Sequence, residues 1–404
     1  MPTVRFLDRS TPPHIFTLIV LAGISTLALN IFLPSLPGMT AYFETDYGVM
    51  QLAVAGYLGI NAILQLLIGP ISDRVGRRPV ILGGLVIFLL ATLGCLLSTN
   101  IWIFLIFRMF QGGIVAAMVL SRAVVRDMVP ADRAASMIGY VTMGMSVVPM
   151  IGPAIGGALD AAFGWHGSFW ALFAMAAAVL WLVWNDLGET APLEGRTFRD
   201  QFVEYPELFT SYRFWGYALA AALSSGAFFA YLGGAPFVGT EVFGLSPSEL
   251  GLFFGAPAVG YFTGNFLSGR FSTRIGINRM VFYGALANAI GHGINLATLY
   301  AGISTPVTFF GLMTLMGLGN GMTIPNATAG ALSVRPSLAG TASGLAGFLM
   351  IGGGAGLSAL AGALLGPGTG AFPLVWLMLL TAIGGILAIT LVILRERQLR
   401  APSI

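Results

Sequence analysis

Long apolar stretches separated by short polar segments run along the whole chain. Windows of about 20 residues, the length that a helix needs to cross a bilayer, recur twelve times and are numbered here as spans 1 to 12. Their approximate limits are 15–37, 49–71, 79–98, 101–123, 135–158, 166–184, 214–238, 249–269, 280–300, 306–328, 339–364 and 372–394. The pattern predicts an all-α membrane protein that crosses the bilayer twelve times.

The composition narrows the class further. Of the 404 residues 56% are hydrophobic and 9% are charged, whereas a soluble domain carries roughly a quarter charged residues. Cys95 is the one cysteine, so an intrachain disulfide or a cysteine-based zinc site is excluded. The three histidines are far apart in the sequence. We therefore expect no metal and no cofactor.

The basic residues indicate the orientation. All 19 are arginines, and 18 of them lie at the termini or in the connections from an even span to an odd one, with the adjoining span ends. The opposite face carries acids only, at Glu44, Asp46, Asp160, Glu241 and Glu249. By the positive-inside rule both termini are cytoplasmic. The positive charge is thus a topology signal, and we expect no nucleic-acid partner.

The chain divides into two similar parts. The longest polar stretch, 185–212, separates a six-span half at 1–184 from another at 213–404. GPISDRVGRR at 69–78 and GRFSTRIGIN at 269–278 lie 200 residues apart at equivalent places in the two halves. AASMIGYVTM at 134–143 is likewise matched by TASGLAGFLM at 341–350. Such internal repeats are typical of secondary transporters.

Several enzyme classes lack their motifs here. Without lysine there is no phosphate loop of the GxxxxGK type, and neither HExxH nor GxSxG occurs. GLGNG at 317–321 lacks the third glycine of a dinucleotide fingerprint and lies inside span 10, which favours helix packing. A membrane-bound enzyme therefore has no catalytic constellation to support it, and we do not expect catalysis.

Three motifs resemble those of a known family. GPISDRVGRRP at 69–79, RMFQGG at 108–113 and GPAIGG at 152–157 are similar to signatures of the major facilitator superfamily, the last being typical of exporters. Further segments resemble the bicyclomycin/chloramphenicol-resistance (Bcr/CflA) drug exporters: LNIFLPSLP, SRAVVRD, GWHGSFW, FGLSPSELG and PNATAGAL. The resemblance implies a major facilitator fold with two pseudo-symmetric six-helix halves, and a monomer in the bacterial inner membrane. It also implies proton-driven export of small molecules by alternating access.

The chain departs from this family twice. The usual aspartate of the first helix is replaced by Asn30, and the usual Gly-Trp-Arg after the fifth helix ends in His166. By resemblance, a cytoplasmic latch is expected in which Asp73 engages the start of span 11. Its residues are Gly69, Asp73, Arg74, Gly76, Arg77 and Arg78, with Arg126 and Asp127. The antiporter motif comprises Gly152, Pro153, Gly156 and Gly157. The alternative for the arginines is that they are solvated loop charges.

Arg108 is the arginine that the positive-inside rule leaves unexplained. A charge near the middle of a membrane helix costs at least ~3 kcal/mol on insertion scales, so it is by default a functional-site candidate. At 1.5 Å per residue it lies roughly 10 Å below the periplasmic boundary, and Asn30, Tyr57 and Tyr231 lie at similar depth. We predict a substrate site formed by Asn30, Tyr57, Asn61, Arg108, Gln111, Phe228 and Tyr231. Alternatively, Arg108 braces a neighbouring helix through its backbone carbonyls.

The charge of this site predicts the substrate class. All 16 acids fall in loops or at span ends and none lies inside a predicted span, so the site favours neutral, zwitterionic or anionic molecules over cations. Asp160 and His292 are the candidates for proton coupling, although a solvated loop acid and a packed neutral histidine are the alternatives. The alternative function is export of one endogenous metabolite or signalling compound.

Overall fold

The chain is helical along nearly all of its described length. A computed structural model describes residues 4–128, 148, 151–190, 210–334 and 339–400. Within these ranges the regular structure is helical and no strand occurs. The predicted all-α class is confirmed.

The helices match the predicted spans and extend beyond most of their apolar windows. Ten described helices are long and apolar enough to cross a membrane. The helix bounds of spans 1 to 4 are Ile15–Tyr42, with a break, Tyr47–Val75, Arg77–Leu97 and Ile101–Met128. Span 5 is described from Ile151 to Phe163, and span 6 is Trp165–Asp186. Spans 7 to 12 are Tyr212–Val242, Pro247–Ile275, Ile277–Tyr300, Pro306–Ser333, Ala339–Leu364 and Phe372–Arg400.

Two spans are interrupted near the predicted site. The first helix of span 1 ends at Asn30, and a short 3₁₀ turn at Leu33–Ser35 precedes a second helix, Leu36–Tyr42. Pro34 and Pro37 explain the break, because proline lacks the amide proton that an uninterrupted helix needs. Span 4 is an α-helix to Phe110, a 3₁₀ turn at Gln111–Ile114 and an α-helix again from Val115.

The chain forms two compact units that do not follow its linear halves throughout. Unit 1 comprises the described residues within 1–46, 63–198 and 247–251, and unit 2 those within 47–62, 199–246 and 252–404. The first part of span 2 therefore packs with unit 2, and the start of span 8 with unit 1. The predicted boundaries at 1–184 and 213–404 stay a prediction, and residues 191–209 of the linker 185–212 lie outside the described residues.

Close glycine contacts hold the helices of each unit together. In unit 2 a Cβ on Gly317 would lie 1.7 Å from the carbonyl oxygen of Pro257, and one on Gly321 would lie 2.5 Å from that of Tyr261. Only glycine permits such an approach of two helix backbones. GLGNG at 317–321 is thus a packing motif between spans 8 and 10.

Candidate functional site

Arg108 is completely buried inside unit 1. Its Nη1 donates to the side-chain oxygen of Gln111 at 2.6 Å, and its Nη2 donates to the carbonyl oxygen of Ala28 at 2.9 Å. The guanidinium carbon also lies 4.3 Å from the ring centroid of Phe32, within the range of a cation–π interaction. One arginine therefore connects span 4 to two neighbouring turns of span 1.

Gln111 extends this network to span 3. Its amide nitrogen donates to the hydroxyl of Thr92 at 2.7 Å, and that hydroxyl donates to the carbonyl oxygen of Phe88 at 2.7 Å. The 3₁₀ turn that begins at Gln111 changes the direction of side chains after Arg108, which is where functional hinges often occur. The chain of bonds joins spans 1, 3 and 4 around one buried charge.

The geometry supports the brace that the sequence left open as an alternative for Arg108. Both of these hydrogen-bond acceptors are neutral, and Ala28 contributes a backbone carbonyl as that alternative requires. With no exposed surface, Arg108 reaches a substrate only after its neighbours move. Its role in substrate binding stays a prediction.

Asn30 lies at the end of the first helix of span 1. Its amide nitrogen donates to the carbonyl oxygen of Thr26 at 2.6 Å, while its side-chain oxygen is buried with no hydrogen-bond partner among the described residues. A buried acceptor without a donor carries a desolvation cost. Asn30 therefore has a buried acceptor to offer a ligand or a water molecule.

The antiporter motif of span 5 packs directly against this part of span 1. A Cβ on Gly156 would lie 1.6 Å from the carbonyl oxygen of Ile31, and one on Gly152 would lie 3.2 Å from a methyl carbon of Leu27. On the other side of the helix, a Cβ on Gly157 would lie 2.3 Å from the carbonyl oxygen of Pro247. Pro153 presents its carbonyl oxygen to Gly251 in the same contact. The motif thus places span 5 between span 1 and the start of span 8.

The other predicted binding residues belong to unit 2. Tyr231 is fully buried against Phe254 and Phe310, at ring-centroid distances of 5.3 and 6.4 Å, and its hydroxyl has no hydrogen-bond partner among the described residues. Phe228 is half-buried and contacts Phe229. Tyr57 and Asn61 lie on the part of span 2 that packs in this unit, both buried. The structure therefore groups Asn30, Arg108 and Gln111 in one unit and Tyr57, Asn61, Phe228 and Tyr231 in the other.

The loop motif between spans 2 and 3 forms a charge network in unit 1. Arg77 forms ion pairs with Asp73 at 2.5 Å and with Asp127 at 3.2 Å, and so connects span 2 to span 4. Arg77 also donates to the hydroxyl of Ser72. Gly76 is the N-cap residue directly before span 3 and has φ +104°, a conformation that other residues rarely adopt.

Two further parts of this motif are anchored by the segment after span 6. Glu189 accepts the backbone N–H groups of Arg77 and Arg78 at 2.8 and 3.2 Å, which places a carboxylate at the N-terminus of span 3. Arg78 donates to the carbonyl oxygens of Leu187 and Trp184. Gly69 and Arg74 lie in the last turns of span 2. The side chain of Arg126 lies outside the described residues, and the contact of Asp73 with span 11 stays a prediction.

Asp186 is a buried carboxylate that the sequence analysis placed in the linker. It is the last residue of span 6 and is fully buried. Its oxygens accept the backbone N–H groups of Leu7 and His14 at 2.7 and 2.9 Å and the hydroxyl of Thr17 at 2.6 Å. The sequence did not indicate that Asp186 is buried, because solvated acids also commonly lie just beyond an apolar window.

Gln51 is a second residue that the sequence analysis missed. It is fully buried in unit 2, and its amide nitrogen donates to the hydroxyl of Ser358 at 2.8 Å. Nearby, the hydroxyl of Tyr47 donates to the carbonyl oxygen of Gly233 at 2.5 Å. These bonds connect the start of span 2 to spans 7 and 11. A polar residue at the start of an apolar window was the available signal, but it does not reveal the partner.

The two proton-coupling candidates have different surroundings. His292 is 1% exposed in span 9, and neither ring nitrogen has a hydrogen-bond partner among the described residues. Asn288 and Asn295 are buried on the same face of this helix, and Asn288 bonds to Asn320 at 3.1 Å. Asp160 is half-buried near the end of span 5. The structure does not bring Asp160 and His292 together in one unit.

Helices long enough to cross a membrane, interrupted at buried polar side chains, define a polytopic membrane transporter. The family model of the Major Facilitator Superfamily matches residues 18–355. The chain belongs to this superfamily, whose members are transporters.

The sequences of individual transporters are also similar to this chain. The chain is 30% identical to the uncharacterized MFS-type transporter YdgK of Bacillus subtilis, over 92% of this chain and 93% of that protein. It is 29% identical to multidrug resistance protein D of Escherichia coli, over 82% and 84%. It is 30% identical to the chloramphenicol resistance protein of Pseudomonas aeruginosa, over 79% and 76%. The resemblance to this group of resistance proteins is confirmed.

Solved structures show the same fold. A D-xylose-proton symporter matches with a TM-score of 0.73 at 18% identity, over 94% of this chain and 96% of that one. A bacterial homologue of the human lysosomal transporter Spinster matches with a TM-score of 0.70 at 19% identity, over 95% and 96%. The predicted major facilitator fold is confirmed.

Proposed function

We propose that this protein exports small neutral, zwitterionic or anionic molecules across the bacterial inner membrane in exchange for protons. The observation that carries the substrate class is the pairing of a neutral Asn30 with a buried Arg108 in unit 1. A site that holds a positive charge and lacks the family's aspartate in span 1 disfavours permanent cations. Similarity to proteins named for multidrug and chloramphenicol resistance supports export of drug-like compounds.

Unit 2 contains the predicted aromatic binding residues. Tyr231 and Phe228 provide aromatic surface, and the buried hydroxyl of Tyr231 is available as a hydrogen-bond donor once a substrate replaces its apolar neighbours. Ligand sites of drug-like size combine mostly apolar walls with a few polar groups in this way. Phenicol antibiotics, which are neutral and carry aromatic and polar groups, are therefore suitable probes.

Asp160 and His292 are the two residues proposed for proton coupling, and His292 is the one that a substitution tests most directly. Histidine is a common proton shuttle, and neither ring nitrogen of His292 has a hydrogen-bond partner among the described residues. His292→Gln retains polarity and removes titration. We expect this variant to lose protonophore-sensitive export, and unaltered protonophore-sensitive export in His292→Gln would transfer the role to Asp160 or to another group.

The direct test follows accumulation of a phenicol in a pump-deficient bacterium, with and without a protonophore. Arg108→Ala is compared with Arg395→Ala, which removes an exposed arginine from the end of span 12. Lower accumulation that is reversed by the protonophore and by Arg108→Ala alone supports the proposal. Unchanged accumulation at verified expression rejects phenicols and favours the second candidate, a dedicated exporter of an endogenous metabolite or signalling compound. Export that persists in Arg108→Ala assigns this residue to bracing only.

A further inference from the structure

A cavity of about 500 Å³ lies at one end of unit 2, and none of the proposed substrate residues lines it. It is bounded by the starts of spans 7 and 9 and by the end of span 12. Its polar lining includes Arg213, Tyr217, Asn278, Arg279, Glu396 and Arg397. The cavity thus combines arginines, an acid and neutral donors at one end of the helices.

One side of the cavity is held rigidly by hydrogen bonds. Glu396 accepts from Arg213 at 2.8 Å with one carboxylate oxygen and from Asn278 at 2.8 Å with the other. The Tyr217 hydroxyl donates to the side-chain oxygen of Asn278 at 2.5 Å. The Nε of Arg213 is buried with no hydrogen-bond partner among the described residues. The network neutralises one arginine and leaves a buried N–H group for a ligand.

The opposite side carries uncompensated positive charge. Arg279 and Arg397 are exposed, and neither has an acid within salt-bridge distance in the described part of the chain. Three arginines and one glutamate give the lining a formal charge of +2. Half-buried Ile275, Ile277 and Ile393 add apolar surface. This lining fits an anion that carries hydrocarbon.

In the first half of the chain, the position equivalent to this cavity is occupied by the N-terminal segment that includes Leu7 and His14. Thr17 precedes Tyr217 by 200 residues, the same offset that relates the two loop motifs. There the acid at the end of span 6, Asp186, is fully buried by the backbone of Leu7 and His14 and by Thr17. In unit 2 the acid at the end of span 12, Glu396, faces a cavity instead.

We propose that this cavity binds the headgroup of an anionic phospholipid. Its phosphate bonds to Arg213, Arg279 and Arg397, and its acyl chains lie along the isoleucines. The arginine distribution assigns this end of the helices to the cytoplasmic surface, where lipid headgroups lie and where basic pockets between membrane helices bind them. A soluble phosphate ester shares the headgroup chemistry but leaves the apolar wall uncovered. The site is independent of the proposed transport function.

Native mass spectrometry of the full chain tests this, after release from bilayers that contain equal amounts of phosphatidylglycerol and phosphatidylcholine. The variant is Arg279→Gln with Arg397→Gln. The matched control is Arg270→Gln with Arg274→Gln, which removes two exposed arginines that do not line the cavity. We expect phosphatidylglycerol binding to weaken about thirty-fold in the variant, or about 2 kcal/mol, and to change little in the control. Since all four residues are exposed, both proteins should fold normally.

Three results would overturn the proposal. Equal retention of phosphatidylglycerol by the variant and the unmodified protein shows that the cavity binds no lipid. Equal loss in the variant and the control shows a general attraction of the basic surface for anionic lipid. Displacement of the lipid by millimolar glycerol 3-phosphate identifies a soluble phosphate ester as the ligand. None of these three results changes the outcome of the export assay, which tests the proposed transport function separately.

Discussion

Gly156→Ala tests the packing of the antiporter motif against span 1. The added Cβ would lie 1.6 Å from the carbonyl oxygen of Ile31, whereas ordinary contact begins at 3.4 Å, so the two helices must separate by about 1.8 Å. The obstacle is backbone, which no side-chain rotation can relieve. Overpacking of this kind typically costs about 1–3 kcal/mol and occasionally more. Because Ile31 adjoins Asn30 and Phe32, the shift also displaces the groups around Arg108.

We therefore expect Gly156→Ala to show a lower Tm in detergent and to lose export. Gly152→Ala is the matched control, because its tightest contact would be a methyl carbon of Leu27 at 3.2 Å, which can rotate away, and the next atoms, Asn30 Cβ and Ile31 N, lie at 3.5 and 3.9 Å. Thermal unfolding of the two purified variants, together with accumulation assays at equal expression, makes the comparison. A Gly156→Ala protein with unchanged Tm and export would refute the reasoning. So would a Gly152→Ala protein that is damaged equally.

Three further predictions follow from buried groups. Arg108→Lys should fold but lose export, since an ammonium cannot reproduce the forked contacts to Gln111 and Ala28. Export that survives in Arg108→Met would instead assign Arg108 a packing role. Asp186→Asn should lower the free energy of unfolding by about 2 kcal/mol, because the hydrogen bonds to the carboxylate are weakened. Limited proteolysis should then cleave the variant near residue 7 sooner than the unmodified protein, and equal cleavage rates would contradict this. Tyr231→Phe should raise the free energy of unfolding by about 1 kcal/mol, because it removes a buried hydroxyl that has no hydrogen-bond partner among the described residues. It should also weaken substrate affinity in a binding assay, and unchanged affinity would remove Tyr231 from the site.

The residues that sequence analysis missed share one feature. Asp186, Gln51 and Glu396 lie at the ends of apolar windows, and the structure continues the helices past those windows. A polar residue at such an end is solvated in most membrane proteins and buried in a few. The difference depends on whether another segment covers it, as residues 7–17 cover Asp186. Local sequence holds no information about that cover.

The sequence alone determined the class of protein, the approximate spans and the positions of the motifs, and it predicts the orientation. These follow from apolar length and arginine placement, because the bilayer acts on each segment separately. Only the tertiary structure decided that Arg108 bonds to Ala28, that Gly156 meets Ile31, and that the start of span 2 packs with unit 2. The physical reason is that hydropathy sets the depth of a helix in the membrane. The rotation of each helix and its neighbours are set by close contacts between residues far apart in the chain.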